Sequence, residues 1–126
     1  MAETLEKPPA VLGVVRGFVT VHAVVIFAQP VFAGSYLIGD YDMLALHALG
    51  ADLVSYLGVA QLVVAALLWW RGGMRWPFWA SLVLVLGETG QYVAGLSGAL
   101  DLHIPLGVAL VALASIMLVA IWRTER

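Results

Sequence analysis

The chain has 126 residues, is 63% hydrophobic and only 11% charged, and carries a formal net charge of −2. So apolar a composition points to an integral membrane protein rather than a soluble domain, and the scattered basic residues form no patch for nucleic acid. Cysteine is absent, which excludes disulfides, thiolate metal sites and iron–sulfur clusters.

Residues 1–9, which include Pro8-Pro9, read as a flexible cytoplasmic tail. Roughly 20 mainly apolar residues are needed to cross the hydrocarbon as a helix, and four stretches qualify, at about 11–38, 43–70, 77–96 and 102–122. The first exceeds a secretory h-region of about 7 to 15 residues, so it reads as a retained helix. The connecting turns, Gly39-Asp40-Tyr41-Asp42, the stretch from Arg71 to Trp76, and Ser97-Gly98-Ala99-Leu100, are short. Short turns make successive helices antiparallel neighbours, so the expected fold is an all-α, up-down-up-down four-helix membrane bundle occupying residues 1–126 as one domain. Asp42 and Asp101 are placed to act as N-caps of the second and fourth helices.

Lys7, Arg16, Arg71, Arg75, Arg123 and Arg126 are assigned to the N-terminal segment, the second turn and the C-terminal tail, whereas Asp40, Asp42 and Asp101 belong to the first and third turns. The positive-inside rule then puts both termini in the cytoplasm of a multi-pass inner (plasma) membrane protein. Trp69, Trp70, Trp76, Trp79 and Trp122 gather toward the inner face, where indole rings favour the headgroup level.

Two histidines recur at matching places. His47-Ala48-Leu49-Gly50 follows Gln29…Gly34, and His103-Ile104-Pro105-Leu106-Gly107 follows Gln91…Gly95. The repeat divides the bundle into two pseudo-symmetric helical hairpins and puts His47 and His103 at similar depth. Helical spacing aligns His47 with Gly50, Ala51, Val54, Gly58 and Gln61, His103 with Leu106, Gly107, Leu110 and Ala114, and Gln91 with Glu88, Tyr92 and Gly95. Small and polar faces of this kind turn inward, because lipid does not reward them. Taken singly, such a glycine is explained by close helix packing and such a histidine by polar trim at the interface. As a pair, the imidazoles with cleared apolar space beside Gly50 and Gly107 match what a tetrapyrrole iron requires. Zinc fits less well, since no thiolate exists and carboxylates are poorly placed to complete four ligands.

At these residues the chain resembles one half of the heme A synthase family. In that family each four-helix half has histidines on its second and fourth helices that serve one heme. The pattern is carried by Gln91-Tyr92-Val93-Ala94-Gly95 leading to Leu102-His103-Ile104-Pro105-Leu106-Gly107. The resemblance implies heme b bound by His47 and His103, with Gly50, Gly107, Gln29 and Gln91 around it. The family's long outer loops and outer acidic motif have no counterpart here, so synthesis of heme A is not implied. No lysine or arginine lies on the expected outer face either, leaving propionates to meet water, Ser35, Tyr36, Tyr41, Ser97 or helix N-termini.

His22, Asp52 and Glu88 fall inside their spans, where ionisable groups are costly and mark a polar interior. At 1.5 Å per residue, His22 and Glu88 lie at matching depth, so they are expected to meet, either as a helix-tying pair or as a relay for protons or a contact for a quinone oxygen. Asp52, about one turn below His47, is a candidate to accept a ligand histidine's second N–H. His22 reads as too deep to share one iron with His47, and Pro30 is expected to free a carbonyl in the first helix. The sequence thus supports a small heme-binding cytochrome, an electron carrier or respiratory-complex subunit rather than a stand-alone enzyme. Its competitors are a proton-coupled transporter using Glu88 and His22, with Gln29, Gln61 and Gln91 contacting substrate, and a heme-free accessory subunit of a larger membrane complex.

Overall fold

A computed structural model describes residues 9–125, and most of the expected flexible tail, with Lys7 and Arg126, lies outside the described residues. Four helices account for nearly all of this span: α1 (Ala10–Leu37), α2 (Met43–Gly72), α3 (Trp76–Leu96) and α4 (Leu100–Arg123). Each packs on two others, in the cyclic order α1, α2, α3, α4 and back to α1, while the diagonal pairs α1 with α3 and α2 with α4 make no close backbone approach. The His-bearing helices α2 and α4 therefore face each other across the bundle rather than side by side.

The turns explain the helix ends. Gly73 adopts a left-handed φ of 70° and its N–H caps the Trp69 carbonyl at 2.9 Å, the usual reason for glycine just past a helix. Gly98, at φ 71°, does the same work before α4. Because Ala99 then accepts from the N–H groups of Leu102 and His103, α4 starts at Leu100, two residues before the expected boundary. α1 runs through Pro30 without interruption.

Burial departs from that of a water-soluble bundle in its exterior and in a few polar groups set within a mainly apolar core. Val24, Leu49, Leu86, Val108 and Ile116 are exposed, whereas His22, Gln61, Ser81 and Glu88 are 1%, 1%, 0% and 6% exposed. An apolar exterior over a partly polar interior is what a bilayer selects. α1, α2 and α4 are long and apolar enough to cross a membrane; α3, expected to do so as well, falls below that measure because Gly87-Glu88-Thr89-Gly90-Gln91 lowers its hydropathy. The faces expected to turn inward do so at Gly50, Val54, Gly58 and Gln61 on α2 and at Leu110 and Ala114 on α4.

Three expectations are corrected. Asp42 occupies the N-cap position of α2 but makes no side-chain cap bond, and Asp101 sits inside the first turn of α4 with Ala99 as its N-cap. Asp101 can still meet the positive end of the helix dipole. Arg16 belongs to α1 rather than to a terminal segment. Its guanidinium donates to the carbonyls of Ile121, at 3.1 Å, and of Thr124, and lies 5.3 Å from the Trp122 ring centre. The end of α4 is thus satisfied by a cation from α1, where the free carbonyls of a helix C-terminus attract positive charge.

At the same end Trp122 donates its indole N–H to Thr20 at 3.0 Å. Trp69 packs against Phe78 and Trp79 with ring centres 5.2 and 5.9 Å apart, and Arg75 lies 5.8 Å from the Trp69 ring. This tryptophan end is the cation-bearing end of the bundle.

Arg16→Ala removes two hydrogen bonds and a cation–π contact at once. It should lower stability by about 1–3 kcal/mol, read as an earlier unfolding transition in detergent micelles, with Arg16→Lys recovering only part because an ammonium cannot span both carbonyls.

Candidate functional site

The C-terminal halves of α1 and α3 meet the N-terminal halves of α2 and α4 around a chamber lined by Gln29, His47, Glu88, Gln91, Tyr92 and His103, among others, with a volume of about 80 Å³. His47 and His103 are half-buried here, their ring centres 6.0 Å apart and their planes at 78°. Each is held the same way. His47 Nδ1–H donates to the Gln29 carbonyl at 3.1 Å, and His103 Nδ1–H donates to the Gln91 carbonyl at 2.9 Å. A carbonyl can only accept, so each ring carries a proton on Nδ1, and in the neutral ring Nε2 is the nitrogen left to act as a ligand.

The side chains of the same two glutamines complete the repeat. The Gln29 amide fills the notch at Gly50, where a Cβ would come within 2.0 Å of its Nε2, and the Gln91 amide fills the notch at Gly107, where a Cβ would meet its Nε2 at 2.8 Å. Gly95 lets the His103 ring lie against α3, since a Cβ there would stand 2.9 Å from its Cε1. Gly34, its counterpart in the first half, has nothing within 4 Å of such a Cβ. The Gln-His-Gly repeat is therefore structural in both hairpins, and only the second uses its additional glycine.

Neither Gln29 Oε1 nor Gln91 Oε1 has a hydrogen-bond partner, although both are buried. Orphaned buried acceptors are uncommon and costly, and these two border the space between the imidazoles. By its chemistry the donor set is one that would hold a heme iron: two imidazoles oriented through Nδ1–H, with Nε2 not used by those contacts. The chamber itself is smaller than the ~300 Å³ low end of small-ligand pockets. A macrocycle can enter only if the weakly held Gln29 and Gln91 amides leave it and the histidine end opens. Among the described residues no group of three or more His, Asp or Glu side chains is arranged to hold a metal ion by itself.

Below the histidines lies a second polar system, reaching every helix. His22 Nδ1–H donates to Gln61 Oε1 at 3.0 Å, and Gln61 Nε2 donates to Ser81 Oγ at 3.0 Å and contacts Met117 Sδ at 3.5 Å. His22 Nε2 stands 3.0 Å from Glu88 Oε1. The expected meeting of His22 and Glu88 is thus realised, as a close contact whose angle is poor for a hydrogen bond, and Glu88 Oε2 is also without a partner. Gly58 makes room for the pair, since a Cβ there would be 2.5 Å from Glu88 Oε2. Both nitrogens of His22 face partners in this system, so it is not a spare ligand for the upper site. Glu88 lines the histidine chamber, which links the two constellations that the sequence presents separately.

Asp52 belongs to neither. It is exposed, and its Oδ1 accepts from the Tyr92 hydroxyl at 2.7 Å. The expected contact with a ligand histidine fails because the backbone carbonyls of Gln29 and Gln91 already take both Nδ1 protons. Ser81 and Met117 escape sequence reading: a serine and a methionine in an apolar run carry no spacing signal, and only the packing brings them to Gln61.

Gly50→Ala should expel the Gln29 amide and destabilise the protein by about 1–3 kcal/mol, whereas Gly34→Ala, with open space, should be neutral or stabilise by up to about 1 kcal/mol through helix propensity. Thermal unfolding of the two variants in the same detergent checks this, and equal effects would contradict the packing assigned to Gly50. Compared with protein-family models, with curated proteins and with solved structures, the chain matches none of them.

Proposed function

We propose that the chain is a small membrane cytochrome that binds one heme b between His47 and His103 and serves in electron transfer or as a subunit of a respiratory membrane complex. In this reading the bundle is up-down-up-down, made of two pseudo-symmetric hairpins, with both termini on the cytoplasmic side of the inner (plasma) membrane. The observation that carries it is the matched fixation of the two imidazoles, each with Nδ1–H on a glutamine carbonyl and Nε2 left free across the bundle diagonal. The resemblance to one half of the heme A synthase family supports the same pairing.

Bound there, a heme supplies a one-electron iron couple. The chain's own residues set its surroundings. The Gln29 and Gln91 carbonyls orient the imidazoles and raise their basicity as ligands. Gly50 and Gly107, from which the glutamine amides would move aside, would leave room beside the imidazoles, and the apolar side chains of Ile26, Val54, Leu110 and Val111 keep the chamber poor in water. Glu88 also lines the chamber, which puts a carboxyl group beside the apolar side chains.

Protein purified from heme-replete cells should show a Soret band and a dithionite-induced difference spectrum. His47→Ala and His103→Ala should each reduce bound heme by tenfold or more, on the order expected for losing a metal ligand. A purified protein without a Soret band, or either variant with an unchanged spectrum, would rule the reading out.

The buried Glu88–His22–Gln61–Ser81 chain favours one other reading, a proton-coupled transporter in which Glu88 and His22 exchange a proton. Glu88→Gln should then abolish proton uptake into proteoliposomes while leaving any heme spectrum in place; undiminished uptake would count against it.

A further inference from the structure

Between α2 and α3 a groove opens on the outward, bilayer-facing surface of the bundle. It has a volume of about 270 Å³ and is lined by Asp52, Ser55, Tyr56, Thr89, Tyr92 and Val93. Most of the accessible lining is carbon, yet it holds a carboxylate and four hydroxyls, groups that are costly to place on a surface facing hydrocarbon. The exposed large side chains elsewhere on this surface, such as Leu53, Val83 and Leu86, are apolar.

Three of the four hydroxyl hydrogens of this lining are already committed. Ser55 Oγ–H donates to the Ala51 carbonyl at 3.0 Å, Thr89 Oγ1–H to the Val85 carbonyl at 2.8 Å, and Tyr92 O–H to Asp52 Oδ1 at 2.7 Å. What remains is a set of acceptors: Asp52 Oδ2 and the lone pairs of three hydroxyl oxygens. Tyr56, 76% exposed at the rim, holds the one uncommitted hydroxyl proton among them. Such a recess rewards a ligand that brings hydrogen-bond donors and discriminates against one that brings only acceptors, because unpaired acceptors facing each other lose their hydrogen bonds.

Two further features narrow the ligand. The groove's lining residues lie within α2 and α3 and are largely exposed, so a ligand reaches them from within the bilayer, and they include two phenol rings, those of Tyr56 and Tyr92, against which an aromatic ring can pack. Tyr92 and Ser55 also line the histidine chamber, making them the wall between the two spaces. We propose that the α2/α3 groove is a binding site for a membrane-borne aromatic diol of the quinol class, whose hydroxyl donates to Asp52, and that it prefers the quinol over the corresponding quinone.

The proposal rests on the membrane setting of the bundle and not on heme binding. The test therefore uses heme-free full-length chain in phosphatidylcholine nanodiscs, titrated anaerobically with decylubiquinol and, separately, with decylubiquinone. The quinol should bind about tenfold more tightly, the value of one charge-assisted hydrogen bond. Asp52→Asn, which replaces an acceptor with a donor, should erase that preference. Tyr56→Phe, at an exposed position outside the core, should widen it by weakening the quinone. Equal binding of the two forms, no binding of either, or a preference unchanged in Asp52→Asn overturns the proposal. Exchanging phosphatidylcholine for phosphatidylethanolamine should leave quinol binding in place; displacement of the quinol by the ethanolamine lipid would instead assign the groove to a headgroup ammonium.

Discussion

Everything in this bundle hangs on how Gln61 is satisfied. Its carbonyl oxygen accepts from His22 of α1, and its amide nitrogen donates to Ser81 of α3 and touches Met117 of α4, so one side chain of α2 is bound to all three other helices. In a bilayer, apolar contact between helices competes with equally apolar lipid, and specificity falls to hydrogen bonds and close fit. A four-way polar junction permits one set of neighbours and one rotation of each helix. The alternatives would leave the Gln61 amide and the His22 Nδ1–H unpartnered in the interior, at a cost of about 1–3 kcal/mol for each neutral group.

That junction also determines what happens one to two turns away. With α2 and α3 fixed at Gln61 and Ser81, Gly58 comes against Glu88, and Glu88 reaches the chamber beneath the histidines. The upper site is built differently. Its imidazoles are anchored on backbone carbonyls, which are rigid, while the amides that fill Gly50 and Gly107 keep orphaned oxygens. Unpartnered buried atoms therefore occur in both places, on the Gln29 and Gln91 amides at the histidine end and on Glu88 and His22 Nε2 beside the junction, while Gln61 itself is satisfied.

Much of the architecture is legible along the chain because its signals are local. Hydrophobic runs, short glycine-bearing turns and three- and four-residue spacing identify four helices and the inward faces of α2 and α4. The meeting of His22 with Glu88 follows from their matched depth. What misleads is the side-to-side direction. Asp52 has the depth of an interior acid, but its place on α2, two residues before the buried Val54, turns it outward to Tyr92. Arg16 is grouped by charge with the flanking cations although it lies within the first apolar run, and only the packing of α1 on α4 lays its guanidinium against the free carbonyls of α4.

The sequence by itself determined the number of helices, their apolar exteriors and the Gln-His-Gly echo, since each depends on residues within one or two turns of one another. Tertiary structure alone decided that the echo is a hydrogen-bonding unit, that it shares a chamber with Glu88, and that Ser81 and Met117 complete the Gln61 junction. The physical reason is that these contacts cross between helices, and their partners are set by rotation about each helix axis. Runs apolar on nearly every side leave that rotation unmarked, and only the joint satisfaction of the buried polar groups determines it.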